Sequence, residues 1–251
     1  MFRRWWFLKA ARPAPTTEHH PSRREVREHK ALVLGEWEAL RDRLRELAAE
    51  RVTAAGTVFQ AAELRLPTEE SAARRAYQWA LEAYEAAGRL LDRADHPDTD
   101  LPDLAAAVVL AEQAVERLAA AHLLHAGQRP GPLAVRCYYN PLHGPVENAA
   151  EPPKNRKTRQ RARTTTREAA ADRRPACRSC RAAILAGQTP DVLPALLPAK
   201  AAPGRKGPVL VPYFAVPRQW SPWSTTACGA YDPATPSLVL RGAHHHRRPP
   251  H

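Results

Sequence analysis

The first half of the chain repeats its apolar side chains every three or four residues, the spacing of one helix face. The pattern covers residues 23–126 in three stretches, interrupted at Pro67 and again by the polar connection 95–100. Pro67 ends the first stretch because proline has no N–H to donate, whereas Pro102 stands at a position that favours helix initiation. We therefore predict three long helices joined by short connections, an antiparallel bundle or coiled-coil hairpin.

The second half of the chain lacks this helical period and is rich in proline. Eighteen of the 25 prolines lie in residues 131–251. We predict a short helix over 181–186, a loop over 194–207 and a strand over 209–214. Pro212 places that strand at the edge of a sheet, because proline cannot donate to a neighbouring strand. The predicted fold class is mainly α, with the bundle joined to a small α+β module.

Charge divides the chain at the same place. Residues 25–130 carry 13 Arg and Lys against 19 Asp and Glu, whereas residues 131–251 carry 19 against six. This asymmetry indicates either an anionic partner or an attraction between the two halves. Arg outnumbers Lys 32 to six in a chain rich in Ala and Pro. Because GC-rich coding produces this composition without selection for charge, we favour the second interpretation.

Together these patterns predict five parts of the chain. Residues 1–22 are a disordered basic and aromatic leader, with contact to an anionic membrane surface as the less favoured alternative. Residues 23–126 form the three-helix bundle, and residues 131–240 form the second module. Within that module, residues 147–174 are a flexible basic insert. Residues 241–251 are a disordered tail.

The number of cysteines indicates the cellular compartment of the protein, and the hydropathy indicates whether it spans a membrane. Four cysteines in 251 residues are few for a secreted disulfide scaffold, so we expect reduced thiols and a cytoplasmic protein. No run of about 18 apolar residues occurs, so we expect no transmembrane segment.

The cysteines of the second half are spaced as ligands of a zinc ion. Cys177-Arg-Ser-Cys180 brings two sulfurs to one tight turn, and the helix predicted after it favours their thiolate forms. Cys137 and His143 lie six residues apart in a segment whose Asn-Pro and Gly-Pro pairs restrict the backbone. Three thiolates and one imidazole are the donor set of a closed, structural zinc site. We therefore predict a structural Zn²⁺ on these four residues.

Other interpretations of these cysteines stay open. A redox-active C-x2-C pair requires a βαβ unit, which the Pro- and Arg-rich sequence before Cys177 does not offer. Cys228 is an alternative fourth ligand, and it would replace His143 in an all-thiolate site. We favour His143, because its rigid turn has no other evident purpose, although the imidazole could instead hydrogen-bond to the backbone there.

The ordered series of these motifs resembles a module found in uncharacterised actinobacterial proteins. It comprises Cys-Tyr-Tyr-Asn-Pro-Leu-His-Gly-Pro from Cys137, Pro-Ala-Cys-Arg-Ser-Cys ending at Cys180, and Ala-Gly-Gln-Thr-Pro-Asp ending at Asp191. The module often follows a Leu-Ala-Glu-Gln-Ala run, here Leu110–Ala114, and ends in a Trp- and Gly-rich segment matched by Tyr213, Trp220, Trp223, Gly229 and Ala230. The resemblance spans roughly residues 100–240 and implies zinc binding without an assigned activity. The long basic insert, and Cys228 in place of an aromatic residue, depart from the pattern.

Nucleic-acid binding is the alternative function. Basic side chains bind phosphates and aromatic rings stack on bases. The candidate phosphate contacts in the insert are Lys154, Arg156, Lys157, Arg159, Arg161 and Arg163. The nearby aromatic candidates are Tyr138, Tyr139, Trp220 and Trp223. The insert itself contains no aromatic residue, which disfavours this alternative.

The sequence contains no recognisable catalytic set: no Ser–His–Asp signature, no Gly-rich phosphate loop and no H-E-x-x-H pair. We therefore expect a non-enzymatic interaction or scaffold protein with a structural zinc site. Its expected partner is an unidentified protein, and self-association through the helices is a further expectation.

Overall fold

The computed structural model describes residues 23–62, 64, 71–96, 99–146, 174–197 and 209–244, without the side chains of residues 23 and 25–30. The predicted leader, the predicted basic insert except Arg174, and the predicted tail beyond His244 lie outside the described residues.

Three long helices form the first half of the protein and confirm the mainly α fold class. They are α1 (Arg23–Ala61), α2 (Ala72–Asp92) and α3 (Leu101–His125). Both α1 and α2 pack against α3. The buried face of α2 consists mostly of alanine. Small side chains allow two helix axes to approach closely, so α2 and α3 have the most extensive contact in the protein.

From Leu104 to Ala111, the third helix is buried on all sides rather than along one stripe. Every side chain from Leu104 to Ala111 is at most 2% exposed. A helix that is apolar around its whole circumference needs neighbours on every face. Elements of the second half of the chain cover the part of α3 that α1 and α2 leave open.

Polar side chains set where α2 and α3 begin. Ser71 caps α2, and its Oγ accepts a hydrogen bond from the backbone N–H of Arg74 at 3.1 Å. Asp100 caps α3 in a capping box with Asp103, with Pro102 in the first turn as predicted. These caps satisfy N–H groups that the helices themselves leave unpaired.

The second half contributes short elements. They are α4 (Arg178–Leu185), β1 (Pro194–Leu197), β2 (Val209–Pro212), a 3-10 turn (Tyr213–Ala215), α5 (Trp223–Thr226) and α6 (Thr235–Leu240). The strand predicted over 209–214 is confirmed for residues 209–212 as β2, which pairs antiparallel with β1, whereas residues 213 and 214 belong to the 3-10 turn. The prediction of a loop from residue 194 was wrong for β1. Backbone pairing with β2, and a hydrogen bond from Leu196 N–H to the Asp100 carboxylate at 2.8 Å, stabilise this segment as a strand.

The predicted boundary near residue 130 follows the end of α3, but the buried core continues across it. Tyr213, Trp223 and Val239 belong to the same apolar cluster as the helices. Hydrogen bonds join the halves at several points. The indole N–H of Trp223 donates to Asp103 at 2.7 Å, and the indole N–H of Trp79 donates to the carbonyl of Pro233 at 2.8 Å.

The described chain ends in a series of turns after α6. Residues 241–244, the beginning of the predicted tail, are included in these turns. The His244 side chain is buried, with its ring centroid 6.2 Å from that of Trp223.

A buried ion cluster also joins the two halves. The Arg136 guanidinium is buried and pairs with the carboxylates of Glu112 and Glu116 on α3, the latter at 3.1 Å. Arg51 of α1 approaches Glu112 at 3.4 Å. Since Arg136 directly precedes Cys137, the cluster connects the bundle to the cysteine-containing segment.

We predict that Arg136→Ala lowers the free energy of unfolding by about 2 kcal/mol, because two carboxylates lose their buried counter-charge. The loss is smaller than for a fully buried pair, since Glu112 and Glu116 remain 32% and 31% exposed. Urea denaturation measures the change. The matched control Arg43→Ala removes an exposed arginine of α1 and should change stability by less than about 0.5 kcal/mol. Equal effects of the two substitutions would contradict the assignment.

Candidate metal centre

Four side chains from two distant segments converge on one point. The potential ligand atoms of Cys137, His143, Cys177 and Cys180 all lie within 4.8 Å of one another. These are the four residues whose spacing predicted a zinc site. They lie close enough to bind a metal ion.

The first ligand segment is held by a tight turn. Asn140 accepts two hydrogen bonds: its side-chain oxygen from the Leu142 N–H at 3.2 Å, and its carbonyl oxygen from the His143 N–H at 3.0 Å. The adjacent proline restricts the backbone further. The turn therefore positions the imidazole, which gives the Asn-Pro-Leu-His sequence a structural purpose.

The second ligand segment begins a helix. Cys177 is the N-cap of α4, and Cys180 lies in its first turn. The prediction that the helix starts after Cys180 was wrong, because the Arg181 N–H already bonds to the Cys177 carbonyl at 2.9 Å. No side chain caps this helix. Its N-terminal N–H groups and dipole are therefore free to interact with negative charge at the ligand cluster.

The separations of the His143 nitrogen from two of the sulfurs fit tetrahedral coordination. Metal–sulfur and metal–nitrogen bonds of about 2.3 Å and 2.0 Å place a sulfur and a nitrogen of one tetrahedral site about 3.5 Å apart. The Nδ1 atom of His143 lies 3.2 Å from the sulfur of Cys177 and 3.4 Å from that of Cys180. Both separations are therefore close to those of a tetrahedral site.

Asp191 orients the histidine. The Nε2 atom of His143 lies 3.1 Å from the Asp191 carboxylate, which leaves Nδ1 directed toward the sulfurs. A carboxylate behind a ligating imidazole is the common arrangement in metal sites, because it fixes the tautomer and the ring orientation. Sequence reasoning identified Asp191 only as the end of the Ala-Gly-Gln-Thr-Pro-Asp run and assigned it no role.

In the metal-free cluster, hydrogen bonds among the donor side chains shift their pKa values. A hydrogen bond from Cys180 lowers the pKa of Cys137 to about 3, and the same contact raises the pKa of Cys180. Burial would lower the pKa of His143, but hydrogen bonds to Asp191 and Cys137 raise it to about 10. Cys137, His143 and Cys180 therefore share protons that a metal ion would displace.

Cys228 is not part of this cluster. It is fully buried among the apolar residues of the bundle core, and burial raises the pKa of its thiol. Its backbone has a positive φ of 54°, between Ala227 at 49° and Gly229 at 92°. The described geometry places His143, rather than Cys228, beside the other three ligands.

The structure describes only the aromatic members of the predicted nucleic-acid site. Lys154 through Arg163 lie outside the described residues. Of the aromatic candidates, Tyr139 and Trp223 are buried in apolar clusters. The guanidinium of Arg174 covers the Tyr138 ring, 4.3 Å from its centroid. These three rings act as packing residues in the described structure.

Comparison with protein-family models, curated proteins and solved structures found no match.

No helix among the described residues is both long enough and apolar enough to cross a bilayer.

We predict that Asp191→Asn lowers metal affinity by about 10- to 100-fold, because the amide holds the imidazole less strongly and removes a negative charge behind it. Competition with a chromophoric chelator measures the affinity. Asp42→Asn, an exposed substitution on α1, is the matched control and should leave it unchanged. Unaltered affinity in Asp191→Asn would show that this carboxylate does not support the ligand.

Proposed function

We propose that the protein is a non-enzymatic scaffold whose cysteine-containing segments are held together by one structural Zn²⁺ ion. Cys137, His143, Cys177 and Cys180 would supply its four ligands. The observation that carries this proposal is their convergence within 4.8 Å, with Asp191 hydrogen-bonded to the imidazole.

The donor chemistry supports zinc over other common ions. Three thiolates and one imidazole are soft or borderline donors, which disfavour Mg²⁺ and Ca²⁺. A compact set of this kind suits tetrahedral Zn²⁺, and iron is the main competitor. Four protein ligands complete the tetrahedron, as in structural sites, whereas catalytic zinc keeps a position for water or substrate.

The small size of the surrounding core supports a stabilising role for the ion. A second apolar cluster lies apart from the bundle core, and three of its seven buried members are the cysteine ligands themselves. They are Cys137, Tyr139, Val146, Ala176, Cys177, Cys180 and Val192. So few side chains bury little apolar surface, so metal binding would supply much of the free energy that holds these segments together.

The state of the cysteines supports a reducing compartment, and we propose the cytoplasm. All four cysteines are free thiols in the structure. Thiolate ligands require reduced cysteine, which that compartment maintains.

The first helix supports an interaction role. Leu32 and Leu34 near its N-terminus are 65% and 53% exposed. Residues 23–30 carry four basic and two acidic side chains, whereas residues 35–42 carry three acidic and one basic. A second copy of α1, running antiparallel and centred near Leu32, would place opposite net charges against each other and cover one of the two leucines, which lie about 200° apart around the helix. We therefore propose α1 as the self-association surface.

We predict that the purified protein contains one zinc per chain and that Cys180→Ser loses it, because a hydroxyl is a far weaker zinc ligand than a thiolate. Elemental analysis measures the stoichiometry. Cys228→Ala is the matched control and should retain the ion, since Cys228 lies in the other core. Equal zinc content in both variants would contradict the ligand assignment, and a metal-free wild type would contradict the zinc proposal itself.

We predict that the wild-type protein shows a concentration-dependent mass in light scattering, approaching twice 27.8 kDa. Replacing Leu32 and Leu34 with glutamate should shift the equilibrium to the monomer, because charged side chains cannot be buried unpaired at an interface. Val58→Glu, at an exposed position near the other end of α1, is the control. A wild-type monomer at every concentration would exclude self-association and leave a different protein as the partner.

A further inference from the structure

The three cysteine ligands differ in their access to solvent. Cys137 and Cys180 are 0% and 1% exposed, whereas Cys177 is 9% exposed. Cys180 packs toward Asp191, its sulfur 3.6 Å from that carbonyl oxygen. Cys177 lies on the outer side of the cluster, at the start of α4.

An open groove of about 650 Å³ lies beside this outer side. Cys177 and His143 are the two ligands that line it, together with Arg178, Ser179 and Ala182, while Cys137 and Cys180 do not. The volume is that of a site for small molecules. A reagent entering the groove would therefore meet the sulfur of Cys177 before the other two.

The surroundings of Cys177 control its reactivity. The Ser179 hydroxyl lies 3.2 Å from the Cys177 sulfur and can donate a hydrogen bond to its thiolate form. That bond withdraws charge from the sulfur and so reduces its nucleophilicity. The exposed guanidinium of Arg178, in the wall of the same groove, favours the approach of anionic reagents.

We propose that Cys177 is a modification site for small, soft electrophiles, and that it reacts through the groove while it serves as a metal ligand. The proposal rests on the metal binding proposed above, in which Cys177 is a thiolate ligand, and on the position of Cys177 in the wall of the groove. Cys137 and Cys180 are protected by burial. Modification of Cys177 would therefore weaken the metal centre from its outer side.

The chemical step is a simple displacement. With an alkyl iodide, a lone pair of the Cys177 sulfur forms the carbon–sulfur bond while the carbon–iodine bond breaks. Iodide leaves with the bonding electron pair. No proton is released, because the sulfur carries none. The product is a neutral thioether, which is a weaker ligand than the thiolate it replaces, so loss of metal follows alkylation.

The test begins with full-length protein whose metal content has been measured. It is treated with a substoichiometric amount of iodoacetamide at neutral pH, and peptide mass mapping locates the added groups. We expect at least tenfold more label at Cys177 than at Cys137, Cys180 or Cys228. Label distributed equally over the ligand cysteines, or found first on Cys137 or Cys180, would overturn the proposal. So would the absence of label from Cys177 while free glutathione in the same sample is consumed.

Two variants test the role of the groove. Ser179→Ala should raise the alkylation rate of Cys177 several-fold, because the sulfur loses its hydrogen-bond donor. Arg178→Gln should slow the anionic reagent iodoacetate by about twofold relative to neutral iodoacetamide, since an exposed charge has a modest, screened effect. Arg181→Gln removes an exposed arginine of the same helix that does not line the groove, and should leave this ratio unchanged.

The outcomes separate the two proposals. A protein that holds no metal contradicts the proposed function and this inference with it. A metal-loaded protein that is labelled mainly at another ligand contradicts this inference alone. Metal content after alkylation gives an independent readout, because label at Cys177 should be accompanied by an equal loss of metal.

Discussion

Placing three sulfurs and an imidazole within 4.8 Å of one another is the constraint on which the cysteine-containing part of the protein depends. When all three sulfurs are thiolates at such distances, they repel one another unless protons or a cation lie between them. The turn at Asn140 and the start of α4 bring the donors together, but the apolar cluster around them is small. A metal ion between the thiolates would replace this repulsion with attraction to a cation. That attraction would be the main interaction that holds the segment together.

The three long helices and the elements that pack on them contain the larger apolar core. An ion cluster joins this core to the cysteine-containing part of the protein. The ion cluster of Arg136 with Glu112 and Glu116 lies next to Cys137, at the junction of α3 with the first ligand segment. Here the buried guanidinium of Arg136, from the basic half, contacts two partly exposed carboxylates of the acidic half. Movement of the ligand segment would therefore disturb α3, the helix against which the other long helices pack.

The sequence predicted what depends on local periodicity and spacing. The three long helices follow from the 3.6-residue repeat, and the four clustered ligands follow from the C-x2-C pair and the Asn-Pro-Leu-His turn. It did not predict features that depend on distant residues. Strand β1 requires β2 and the Asp100 carboxylate, and the burial of α3 around its whole circumference from Leu104 to Ala111 requires elements about 90 residues or more away. Asp191 has no role until the fold brings it to His143.

The cluster of four donor side chains has two sides, and this difference would allow one metal site both to stabilise the fold and to react. On the inner side, Cys137 and Cys180 are buried, and Asp191 holds the imidazole from behind. On the outer side, Cys177 lines an open groove beside Ser179. The inner ligands can keep two sulfurs and the histidine in place while the outer sulfur meets a reagent. A scaffold built in this way would stay folded until Cys177, its outer ligand, is modified, so its stability would depend on the electrophiles around it.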